Sequence, residues 1–183
     1  MRQLLIKAFK DAVGQIKKGL RTTPLESWNE SVFRFVYSRA VAKQEGTVRQ
    51  IPECSRIDLV LHRRSERAFI EFKFYVHRVR YDPYCGNDVG WKGAAGRKNY
   101  REFKKCVQRI RRRSPRSKVL KLVALFYSDP LDTKRKKFDD DYGGESGVED
   151  KLKLSELESY QFRYIQHNGS EEECNAKLYK VLT

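Results

Sequence analysis

Three side chains near the middle of the chain have the types and spacing of a cation-assisted reaction site. Asp58 lies in Arg56-Ile57-Asp58-Leu59-Val60-Leu61-His62, a run otherwise suited to a strand. Glu71 and Lys73 lie in Phe69-Ile70-Glu71-Phe72-Lys73-Phe74. Side chains alternate across a strand, so Glu71 and Lys73 share a face with Phe69, while Ile70, Phe72 and Phe74 point into the core. The polar stretch from Arg63 to Glu66 turns the chain, which makes the two runs antiparallel neighbours and brings Asp58 to Glu71. Two carboxylates brought together repel, and burying them is costly without compensating positive charge. A hard divalent cation meets both demands, and Mg²⁺ takes one or two carboxylates, carbonyls and retained waters. Asp58, Glu71 and the backbone carbonyl of Phe72 would be its protein ligands, with Glu30 from a preceding helix as a further one. Lys73 would orient or help deprotonate the attacking water, or neutralise charge developing on a phosphate. The chemistry expected of such a set is metal-assisted phosphodiester hydrolysis. The same Glu-x-Lys spacing also describes a solvated ion pair on a strand face, worth roughly a few tenths of a kcal/mol.

The charge balance points to a polyanionic partner. Thirty-nine Lys and Arg against 24 Asp and Glu leave +15 over 183 residues. Between Lys92 and Lys118 stand twelve basic residues and a single acid, Glu102. Arg97, Lys98, Arg101, Lys104 and Lys105 would contact phosphates from a helix, fixing a nucleic acid without reading its bases. Trp91 would stack on a base or fold back on the core, and Lys92 lies beside it in a glycine-rich loop that lacks the pattern of a nucleotide-binding P-loop. A merely solvated, highly charged helix is the alternative.

The elements that must position these residues follow from hydrophobic period. Leu5, Ile6, Phe9, Ala12, Val13, Ile16 and Leu20 form a helical stripe. Val32, Phe33, Val36, Tyr37 and Ala40 form a second, with Ser27 and Glu30 as a capping box. Strands are predicted over 47–51, 56–62 and 68–76, and a long loop over 81–96. A third helix follows over 98–113, with Tyr100, Phe103, Val107 and Ile110 facing inward, and then a central strand over 119–127. An irregular excursion over 131–151, a strand over 160–166 and a last helix over 171–182 complete the chain. The predicted architecture is α/β, a central mixed β-sheet flanked by helices in a single domain over 1–183. The helix between the third and fourth strands permits a parallel crossover.

In this order of elements, the motif resembles the PD-(D/E)xK nuclease superfamily, whose fold is restriction-endonuclease-like. Asp58 in Ile57-Asp58-Leu59 matches the first acid, Glu71-Phe72-Lys73 the Glu-x-Lys, and Glu30 in Glu30-Ser31-Val32 the helical glutamate. Ile57 replaces the proline of the family's name. Gln108 is the nearest match to the glutamine or lysine that many members carry on the next helix, with Lys104 and Lys98 as rivals. The resemblance spans about 26–127, leaving an N-terminal helix and a C-terminal strand-helix extension. It implies an Mg²⁺-dependent nuclease, Mn²⁺ able to substitute, most simply an endonuclease on DNA, with RNA also open. A homodimer or an accessory protein would be a natural partner.

Other classes fit less well. Cys54, Cys85, Cys106 and Cys174 are too widely spaced for a zinc knuckle, and His62, His77 and His167 do not complete one. Apolar runs fall far short of the roughly 20 residues that cross a bilayer. The start of the chain lacks a signal-peptide core, so a cytoplasmic or nucleoid-associated location is expected. Two competing readings stand beside the nuclease: a catalytically silent nucleic-acid-binding or assembly module on the same fold, and a basic partner for an acidic protein.

Overall fold

The computed structural model describes residues 1–76, 78–82, 87–92, 97–113, 119–131, 137–138, 147–166 and 169–182, with backbone alone at 26, 78–82, 87–92, 97 and 130. Helix α1 (Arg2–Gly19) buries Leu5, Ala8, Phe9, Ala12, Val13 and Ile16. A 3₁₀ turn (Leu25–Ser27) leads to α2 (Glu30–Gln44), which buries Phe33, Val36, Tyr37, Ala40 and Val41. The α2 cap differs from the expected one. Asn29 adopts extended backbone and its side chain accepts the Val32 N–H at 3.0 Å, while Ser27 lies in the preceding turn. The change makes Glu30 the first residue of the helix, which sets where its carboxylate can reach.

Strands β1 (Arg49–Cys54), β2 (Ile57–Arg63) and β3 (Glu66–Tyr75) form an antiparallel meander. Strands β4 (Arg78–Asp82) and β5 (Asn87–Lys92) form a separate two-stranded hairpin, so part of the expected long loop is paired. Helix α3 (Arg97–Arg112) then carries the chain to β6 (Val119–Pro130), which lies parallel to β3. A short helix α4 (Gly147–Leu152) precedes β7 (Leu154–Ile165) and β8 (Glu171–Val181). The six-stranded mixed sheet runs β1-β2-β3-β6-β8-β7, and β3–β6 is its parallel pair.

The end of the chain corrects the predicted helix over 171–182. Residues 171–181 form a strand sandwiched between β6 and β7. Cys174, Ala176 and Leu178 pack on one side of the sheet and Tyr179 and Val181 on the other. A strand buried on both faces loses the simple polar–apolar alternation that marks a half-exposed one.

The sheet divides two cores. On one side Ile70, Phe72 and Phe74 meet Leu122, Ala124 and Phe126 beneath α1 and α2. On the other, Phe103, Val107 and Ile110 of α3 cover Val123, Leu125 and Tyr127. No helix among the described residues is long and apolar enough to cross a membrane.

Candidate active site

Glu71 lies within the sheet, paired in parallel with Val123 of β6 and fully buried. The ladder between β2 and β3 runs from Arg63 opposite Glu66 to Leu59 opposite Ile70, and its continuation sets Asp58 across from Glu71. The half-buried Asp58 carboxylate accepts the Phe72 N–H at 2.8 Å, taking over where the ladder ends. Each expected residue of the hairpin therefore lies at one corner of the sheet.

Lys73, only 6% exposed, faces two carboxylates. Its Nζ is 2.9 Å from Glu30 Oε2 and 3.2 Å from Glu102 Oε1. Glu30 reaches Lys73 from the first residue of α2. Glu30 is thus bound to the lysine, close enough to Asp58 to feel its charge. Burial, the largest influence, would pull the Lys73 ammonium down, but the Glu30 carboxylate, with Glu102, outweighs it and raises its pKa. One lysine does not satisfy two acids: burial raises the Glu30 carboxyl, and the repulsion of Asp58 and Glu102 adds to this against the pull of Lys73.

Helix α3 supplies the rest of the site, through residues that the family pattern does not predict. Arg109 donates to both oxygens of Glu71, at 3.1 Å from Nε and 2.5 Å from Nη2. The Cys106 thiol lies 3.6 Å from Glu71 Oε2. Burial, the largest influence, together with the neighbouring Asp58 charge outweighs the Arg109 hydrogen bonds and raises the Glu71 carboxyl to about 7. Cys106 is held as a thiol, pushed up first by burial and then by Glu71. Glu102, Cys106 and Arg109 follow one another at helical spacing, a stripe just beside the apolar face of α3. The signal was the one acid in a basic segment, in register with a cysteine and an arginine. Gln108 lines a neighbouring cleft of about 480 Å³ with Lys105, Arg109, Arg112 and Arg113.

Of the expected phosphate contacts, Lys98, Arg101, Lys104 and Lys105 are exposed on α3. Trp91 and Lys92 belong to β5 and Arg97 starts α3, but their side chains, like His77 and Cys85, lie outside the described residues. Cys54, Cys106 and Cys174 are free.

Among the described residues, Lys73 pairs with Glu30 and Glu102, and Arg109 pairs with Glu71. Among the described residues, no three His, Cys, Asp or Glu side chains stand close enough to hold a metal by themselves. Asp58, Glu71 and the Phe72 carbonyl are oxygen donors of the kind Mg²⁺ takes together with retained waters, but both Glu71 oxygens are engaged by Arg109. Comparison of the chain with models of known families, with curated proteins and with solved structures returns no match.

Proposed function

We propose that this protein is a metal-dependent nuclease of the PD-(D/E)xK type, with a restriction-endonuclease-like core, acting on DNA phosphodiester bonds. The observation that carries the reading is the buried Glu71, set against Asp58 on one sheet corner with Lys73 beside it and a basic cleft alongside. Structural ion-pair networks also bury acids, but they have no need of two carboxylates that repel each other.

Asp58, Glu71 and the Phe72 carbonyl would hold Mg²⁺ or Mn²⁺. The ion would supply an acidified water and charge stabilisation at the phosphate. Lys73, kept protonated by Glu30 and Glu102, is suited to neutralising charge on the phosphate and not to accepting a proton. Glu30 fixes the direction of that ammonium, acting on the reaction through Lys73. The exposed lysines and arginines of α3 would track the nucleic-acid backbone, with a salt-dependent affinity that carries no sequence preference.

The test is a panel of plasmid, linear duplex, flap, single-stranded DNA and RNA with Mg²⁺ or Mn²⁺, with and without chelator. Cleavage is expected to need metal. Asp58→Ala, Glu71→Ala and Lys73→Ala should each lower the turnover rate by about 100-fold or more while melting cooperatively. No cleavage of any substrate with either metal defeats the proposal. One observation favours a second reading, a silent nucleic-acid-binding module: Arg109 already neutralises Glu71 without a metal. Salt-sensitive binding without turnover would then be the result.

A further inference from the structure

The geometry points to Arg109 as a latch on the metal site that a nucleic-acid phosphate opens, so that substrate and divalent cation bind cooperatively. The inference rests on the nuclease reading and goes beyond it to how the site is loaded. Both oxygens of Glu71 are engaged by the Arg109 guanidinium, so this carboxylate has little left to offer a metal while the pair persists. The two partners differ in freedom. Glu71 is fully buried in the sheet, whereas the Arg109 side chain is 39% exposed and joins Lys105, Arg112 and Arg113 in the wall of the basic cleft.

A guanidinium presents the same two-pronged donor geometry to a phosphate as to a carboxylate. A backbone phosphate in the cleft therefore offers Arg109 an equivalent partner, with Lys105 and Arg112 exposed beside it. Arg113 is already committed to the Ser55 carbonyl at 2.8 Å, which leaves Arg109 as the cleft residue shared with the acids. Once Arg109 turns away, Glu71 stays buried next to Asp58 without its cation. Burying unpaired carboxylates is costly, so the vacated place favours a doubly charged ion. By linkage the effect is reciprocal: phosphate tightens metal, and metal tightens phosphate. The expected consequence is a protein that loads metal only with substrate in place.

The experiment measures Mn²⁺ binding by calorimetry to wild type and Arg109→Gln without nucleic acid. It also measures affinity for a phosphorothioate duplex by fluorescence anisotropy, with and without Mn²⁺. Wild type should bind Mn²⁺ weakly alone, and Arg109→Gln roughly tenfold or more tightly, a gain abolished by adding Glu71→Gln. Mn²⁺ should tighten wild-type duplex binding by about fivefold or more, and this coupling should shrink towards unity in Arg109→Gln. Arg109→Lys keeps the charge but not the fork and should fall between, which serves if the glutamine variant melts early. If wild type cleaves DNA but Arg109→Gln binds Mn²⁺ no tighter, the latch is overturned and the nuclease reading survives. If neither protein binds Mn²⁺ and neither cleaves, both fall together.

Discussion

The two faces of β3 take alternate residues of one run, 69–74, and serve opposite ends. Ile70, Phe72 and Phe74 enter an aromatic core in which Phe33 lies edge-on to Phe72 at 5.4 Å and Phe74 stacks on Phe126 at 4.7 Å. Tyr37 closes this core, meeting Phe72 edge-on and donating its hydroxyl to the Leu5 carbonyl at 3.2 Å, which ties α2 to α1. On the opposite face the next residues along are Glu71 and Lys73, buried to nearly the same extent but held by ion pairs. A face of packed rings gains free energy from burial, whereas a face of buried charge gains little after desolvation and becomes worthwhile through what the charges do. The rigid aromatic side therefore acts as the platform on which the charged side is held in register.

The largest effect should come from breaking the platform. Phe72→Ala removes the ring that meets both Phe33 and Tyr37 and should cost about 3–5 kcal/mol in urea denaturation. A loss below about 1 kcal/mol would mean that the aromatic face is not the stabilising one.

A pH measurement on the metal-free protein probes the charged face. Glu71 has a folded pKa of about 7, above its ordinary 4.5. Between those values the folded state holds a proton that the unfolded chain has released, so stability should fall as pH rises from about 4.5 to 7 and level off above. The size of this contribution is on the order of 3 kcal/mol. Glu71→Gln should flatten that slope and be the more stable protein at pH 8, as expected where charge is kept for function. Stability of wild type that rises across this window would show that the Arg109 pair outweighs burial.

The smallest effect concerns the joint between the faces. Asn29→Ala should cost about 1 kcal/mol through the lost cap. Because Glu30 is the next residue, the substitution should also loosen the Glu30–Lys73 pair, visible as a lowered pH limit for the lysine ammonium in NMR titration. An unchanged lysine titration would show that the strand alone orients Lys73.

Much of the arrangement was legible in advance. Period-two alternation in 69–74 and the short turn at 63–66 predict the face shared by Glu71 and Lys73 and the approach of Asp58, because both follow from local backbone geometry. The parallel neighbour β6 was signalled by its apolar length and the helix before it. The strand over 171–181 was not legible, since burial on both faces erases its alternation and its residues also suit a helix. The meeting of Arg109 with Glu71 was not legible either, because the rotation of α3 against the sheet is set by how Phe103, Val107 and Ile110 pack.

By itself, then, the sequence determined the chemical inventory and its local order: two acids and a lysine on neighbouring strands, an excess of positive charge, and helices with one apolar stripe. Those properties depend on residues near one another in the chain. Only the tertiary structure decided which charges meet across 38 residues, as Glu71 and Arg109 do, or across 43, as Lys73 and Glu30 do. Those pairings depend on how α2 and α3 sit against the sheet, and packing sets both.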